Sequence, residues 1–260
     1  MKRSNTVRFL VLSFLLVSYL PINGAVTTTK LKVKAPFTMP AIRMPDFGAV
    51  QGDKIKTSQA IAKAISAAGE SGGGIVVIPP GEWLTAQVHL KSNVNLHLMK
   101  GAVLLFSDNP SDYLPAVHST WEGLECYNYS PLIYAYQCKN VAITGEGEVQ
   151  ALMDNWKKWA GRPRAHMNSL KNLYYWAFDN KPVNERNMVN DSSNLRPQFI
   201  QFNRCENILI DGVSIKNSPF WTIHLYLSKD IVVRNVKVWA HGHNNDGIDP
   251  EMSQNILIEN

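Results

Sequence analysis

Cysteine is scarce in this chain: three in 260 residues, at Cys126, Cys138 and Cys205. No C-x-x-C occurs, which removes the usual cysteine frame of a structural zinc site. The odd count leaves at least one thiol without an intramolecular partner, and the pair nearest in sequence, Cys126 and Cys138, is the candidate bridge. Charge of one sign is also lacking. Lys and Arg number 26 and Asp and Glu 21, for a net charge of +5. Lys2, Arg3 and Arg8 supply three of those positives with no acid before residue 24, so the rest of the chain is near about +2. A balance that small gives no compositional case for a nucleic-acid partner. No run reaches the ~20 apolar residues that a membrane-spanning helix needs. The three glycines at 72–74 lie after a helical pattern and before a strand. A phosphate-binding loop has the reverse order.

The chain begins "MKRSNTVRFLVLSFLLVSYLPINGAV". A basic head, an apolar run over Phe9–Leu20 and the small residues Gly24 and Ala25 form the pattern of a secretory signal. The expectation is a signal peptide over 1–24, an extended lead-in over 25–44, and an exported protein, periplasmic or secreted, that leaves the membrane after cleavage. Ala60, Ile61, Ala64, Ile65 and Ala68 recur at helical spacing, which predicts a short amphipathic helix over 57–68. From residue 75 onward, short β-branched runs end in Gly, Asn, Asp or Pro. Four open alike, with Asn140, Asn207, Asp230 and Asn255 each followed by a β-branched residue. A period near 24 residues leaves too little chain for crossover helices and points to a solenoid of strands. The reading is an all-β parallel β-helix over about 75–260, its first coil capped by the helix. Residues 151–196 interrupt the repeat as a polar insertion with Trp156, Trp159, Tyr174, Tyr175 and Trp176. Those rings either anchor the insertion on the coils or stack on sugar rings.

"HGHNNDGIDPE", at 241–251, concentrates two histidines and three carboxylates after an apolar run. If it starts extended, alternate residues share a face. Asn244 and Asp246 then point the same way. Asp249 has the opposite parity and follows Gly247, so it is expected in a turn or facing elsewhere. His241 and His243 stand two apart with no well-placed third ligand, so no metal is expected there.

These residues carry a resemblance. "NNDGID" at 244–249 resembles the N-T-D-G-x-D motif of polygalacturonases, the pectin-hydrolysing glycoside hydrolases, and most closely the bacterial type. "PDFGAV" at 45–50, "GGGIVVIPPGEWLT" at 72–85, "HLKSNVNLHLMKGAVLLFSDNPSDYLP" at 89–115 and "NILIDGVSIKNSPFWTIHLYLSKDIVVRNVKV" at 207–238 resemble the family's N-terminal segment and coils. The resemblance implies a right-handed parallel β-helix catalytic domain over 45–260. It also implies hydrolysis of α-1,4-galacturonosyl bonds with inversion, no cofactor, and a monomer acting on an acidic plant polysaccharide. By motif position, Asp246 is the catalytic carboxylate, and Asn244 and His243 contact substrate. Asn245 stands where the motif has threonine, and "GEGEVQA" at 145–151 departs from the family's G-x-G-x-[IL]-D-G. The family also carries an Asp-Asp pair one coil later, then Gly-His-Gly and Arg-x-Lys. None of these follows Asp246 here, so the chain is expected to be the front part of the enzyme and inactive by itself. Two other readings stay open: a pectate-lyase type of β-elimination on the same fold, and a β-helix that binds polysaccharide without cleaving it. A calcium-dependent lyase would want further acids and a basic residue as base.

Overall fold

The structure is a computed structural model that describes residues 41–190 and 192–260. The signal over 1–24 and most of the 25–44 lead-in lie outside the described residues. The end of the lead-in, Ala41–Arg43, is a strand. It pairs in parallel with 75–77.

Three parallel sheets make the solenoid. The first contains, in spatial order, 41–43, 74–78, 94–98, 139–145, 206–211, 229–234 and 254–259. The second stacks 81–85, 102–106, 148–151, 214–216 and 237–239. The third stacks 88–89, 133–136, 200–203, 223–226 and 248–251. The chain visits the sheets in turn, once per coil, which is the expected parallel β-helix. Inward side chains stack in columns. Val76, Leu96, Ile143, Ile210 and Val233 are register partners from coil to coil and are buried. β-Branched and leucine side chains suit such a column because they fill a pleated surface with few rotamers to lose.

The Asn-led repeat has a physical cause. Asn93, Asn140, Asn207, Asp230 and Asn255 occupy the corner that enters the first sheet, all with φ between 52° and 63°. Asn and Asp tolerate this left-handed conformation better than other side chains. Their side chains also form a ladder. Asn140 donates to Asn93 at 2.8 Å, Asn207 to Asn140 at 2.7 Å, and Asn255 to Asp230 at 2.9 Å.

Helix α1, Lys54–Glu70, is longer than the predicted 57–68. Asp53 caps it by accepting the Lys56 N–H at 3.0 Å. Its buried face of Ala60, Ile61, Ala64, Ile65 and Ala68 packs against the strands of the first coil. Ser58 Oγ also takes the Ala86 N–H at 2.8 Å. The helix thereby shields edge strands that would otherwise be open to pairing.

Two insertions leave the corner between the second and third sheets. One holds an antiparallel hairpin, 117–121 with 124–128. The other was expected to be polar loop, but it forms helix α2, Asp154–Ala160, and helix α3, Arg164–Phe178. His166, Leu170 and Leu173 give α3 a buried face at helical spacing. Leu170 and Leu173 join Trp121, Cys126, Met188, Leu195 and Phe220 in a second apolar cluster outside the solenoid. Of the rings in this insertion, Trp156 is fully buried, edge-on to Tyr113 and Trp159. It anchors the insertion to the coils. Tyr174 and Tyr175 are exposed. The cysteines do not follow sequence proximity. Cys126 belongs to the outer cluster, whereas Cys138 and Cys205 stack on neighbouring coils, with the Cys138 N–H 3.4 Å from Cys205 Sγ.

Candidate active site

The third sheet turns Ile133, Ala135, Ile200, Phe202, Ile223 and Leu225 into the core. The alternate residues therefore face outward. Tyr134, Gln201, His224 and Asp249 form one outward column by register, and Tyr136, Asn203, Tyr226 and Glu251 form the next. So many polar and aromatic groups on one face of a solenoid need partners or a ligand. The hairpin supplies part of the cover. Tyr134 Oη donates to the His118 carbonyl at 2.6 Å, and Asn203 Nδ2 to the same oxygen at 3.0 Å. Gln198 Nε2 donates to the Thr120 carbonyl at 2.9 Å. Trp121 stacks on Phe220 with centroids 4.2 Å apart. At the hairpin tip, a Cβ on Gly123 would lie 2.9 Å from Glu251 Oε1, and Gly123 has φ 87°. Glycine there is what lets the backbone approach the carboxylate.

The hydrogen bonds on this face run in one direction. Ser119 Oγ donates to Gln201 Oε1 at 3.1 Å. The Gln201 amide nitrogen can only donate, so it gives its proton to His224 Nδ1, at 2.9 Å. His224 Nε2 must then carry the ring proton, which it donates to Glu251 Oε2 at 2.9 Å. The chain fixes the tautomer of a fully buried histidine and holds Glu251 in one orientation.

The 241–247 segment crosses from the second sheet to the third. Asn245 Nδ2 donates to the Ser218 carbonyl. The Thr222 N–H donates to the Asp246 carbonyl at 2.8 Å and the Ile223 N–H to the Gly247 carbonyl at 3.1 Å. Beneath the loop lies Arg196, 3% exposed. Its Nη1 donates to the Pro219 carbonyl at 2.6 Å and to the His243 carbonyl at 2.9 Å. One side chain thus ties two successive corner loops together.

These contacts place the predicted residues. Asp246 is exposed, with its backbone pinned. Asn244 is half-buried and donates to Glu122 Oε1 at 3.3 Å, at the hairpin tip. His243 is exposed, its Nε2 3.4 Å from Arg162 Nη1. The alternation argument fails, however. Asn244 has φ 57°, so the backbone turns there and parity cannot be carried through it. Asp249 is not in a turn. It sits on strand 248–251, in register with His224. It is half-buried, and its Oδ2 has no hydrogen-bond partner. Burial, followed by the charges of Asp246 and Glu251, pushes its pKa up from 3.8 to about 7. Sequence reasoning missed Asp249, Glu251 and His224 as one group. The signal that could have found them is the register: His224 and Asp249 are 25 residues apart, one coil, as are Asp230 and Asn255.

An exposed carboxylate near a carboxyl kept protonated near neutrality puts two carboxyl groups in different charge states on one face. Among the described residues, no three His, Cys, Asp or Glu side chains converge in a way that could hold a metal ion.

A three-sheeted parallel β-helix with a carboxyl cluster on one loop-lined face defines a pectin-lyase-like solenoid. The comparisons with known proteins narrow this further. Residues 182–260 match the family described as Glycosyl hydrolases family 28. A probable polygalacturonase of Vitis vinifera is 28% identical over 224 residues, which span 82% of this chain and 40% of that protein. An exo-poly-α-D-galacturonosidase of Dickeya chrysanthemi is 27% identical over 264 residues, spanning 92% of this chain and 42% of that protein. The crystal structure of a hyperthermoactive exopolygalacturonase from Thermotoga maritima superposes with a TM-score of 0.80 at 40% identity, over 85% of this chain and 52% of that one. These matches place the chain's similarity with the polygalacturonases, over the fold as a whole and, for the family model, over residues 182–260. The chain spans about two fifths of the length of these two curated relatives.

Proposed function

We propose that the protein hydrolyses α-1,4-galacturonosyl bonds in pectin or polygalacturonate after export, with inversion. The single observation that carries this reading is the placement of Asp246. It is exposed on a pinned loop of a polygalacturonase-like β-helix, near the half-buried carboxyl of Asp249. Asp246 acts as the charged carboxylate that orients and activates water. Two neighbouring carboxyls do not readily both ionise, so the proton held by Asp249 keeps the charge of the pair on Asp246. Below pH about 7 Asp249 is protonated and neutral. Above it Asp249 ionises, and the added negative charge repels a uronate substrate. Asn244 and His243 line the substrate groove from the same loop.

Two assays on one digest test the reading. The full-length protein is incubated with polygalacturonate, and reducing ends and unsaturated uronide absorbance are followed together. Hydrolysis releases reducing ends without new absorbance. Rising absorbance would mean β-elimination, and release of neither would mean a binding protein.

A further inference from the structure

Arg162 stands at the corner between α2 and α3, with φ 49°. It reaches over the intervening coil to the loop of the next, where its Nη1 lies 3.4 Å from His243 Nε2. That loop carries Asp246 three residues later. A guanidinium can only donate, so the imidazole nitrogen facing it accepts and the ring offers no countercharge. The Arg162 Nε is buried without a hydrogen-bond partner. Behind it lies Arg196, whose pKa is lowered to about 10 by burial and by the nearby charge of Arg162. Two guanidinium groups therefore sit close together. Neither takes part in an ion pair among the described residues. The acid that bears on Arg196, Glu122, instead accepts the Asn244 amide.

The two arginines differ in what they can reach. Arg196 is sealed beneath the loop and uses Nη1 on two backbone carbonyls. It contributes field rather than contact. Arg162 is only half-buried, and its neighbour His243 is exposed. A planar guanidinium with free donors, beside an exposed imidazole and backed by a second positive charge, suits a carboxylate in a bidentate pair.

We infer that Arg162, backed by Arg196 and flanked by His243, forms a carboxylate-binding subsite that takes a uronate unit next to the one at Asp246. This rests on the galacturonan reading and deepens it. It assigns part of the acid recognition to the 152–199 insertion rather than to the coils. The insertion thereby selects charged over esterified substrate.

The test is calorimetric titration of the full-length protein carrying Asp246→Asn, so that ligand is not consumed. The probes are trigalacturonate and its fully methyl-esterified form. Adding Arg162→Gln should weaken trigalacturonate about tenfold, the size of one lost charge-assisted pair, and leave the neutral ester within about twofold. Arg162→Lys should recover part of the loss, because it restores charge without the fork. Loss of equal size for both ligands would make Arg162 a structural strut, and unchanged trigalacturonate affinity would place the carboxylate elsewhere. Either result overturns the subsite while leaving the galacturonan reading standing. Absence of binding to both probes before Arg162 is altered would overturn the two together.

Discussion

Replacing Asp249 by asparagine should make the protein more stable, and only at higher pH. The folded state holds a proton on Asp249 up to pH about 7, whereas the unfolded carboxyl loses it near 3.8. Between those values the folded state binds more protons than the unfolded one, so this group lowers stability as pH rises. The penalty is absent below 3.8, grows through the window, and levels off above about 7. A fully sealed group would give about 1.4 kcal/mol per pH unit, or about 4 kcal/mol over the window. Asp249 is only half-buried, and solvent screening reduces this to about 1–2 kcal/mol. Asparagine has nearly the same shape, and the Oδ2 it replaces has no partner to lose. At pH 8 the Asp249→Asn variant should therefore melt about 2–6 °C above the parent. At pH 4 the two should melt together. Thermal scans at a fixed rate over pH 4–8 provide the measurement. An equal difference at both ends would refute the argument, since the effect would then not be ionisation. So would a loss of stability at pH 8.

Three further outcomes follow from the same contacts. His224→Phe should cost about 2–4 kcal/mol in urea denaturation, because it orphans Gln201 Nε2 and a partly buried Glu251 together. Asn207→Ala should cost about 2 kcal/mol by the same method, about half from the lost ladder bond to Asn140 and half from placing alanine at φ 59°. Activity on polygalacturonate should fall on the alkaline side with an apparent pKa near 7. In Asp249→Asn that limb should disappear from the kcat profile.

The solenoid was legible in the sequence because one physical demand repeats once per coil. The corner into the first sheet needs a left-handed residue whose side chain can bond to the coils on either side, and Asn140, Asn207 and Asn255 answer it visibly. The insertions follow no repeat. Leu170 and Leu173 of α3 stand at helical spacing, but Trp121 and Phe220, which cover them, come from two other coils, so the sequence does not show what that face packs on. The hairpin is hidden for the same reason: its partners Gln198, Gln201 and Asn203 lie about 80 residues away. At the site, motif matching pointed to Asp246, Asn244 and His243, which the structure places on one loop. Counting by alternation left Asp249 in a turn or facing elsewhere; it lies on a strand, and a single left-handed residue, Asn244, breaks the period before it. Coil-to-coil register was the better ruler, because it does not depend on the backbone between.

The central claim is that Asp246 carries the chemistry of a galacturonan hydrolase. Its direct test is kcat for release of reducing ends from polygalacturonate by the full-length protein and its Asp246→Asn variant, with circular dichroism and melting recorded on both. The account predicts a loss of about 10²–10⁴-fold in kcat, with the spectrum unchanged and the melting temperature no lower, because an exposed carboxylate is exchanged for an amide of the same size and its charge no longer bears on Asp249. Hydrolysis at the parent rate in a correctly folded Asp246→Asn protein would contradict it.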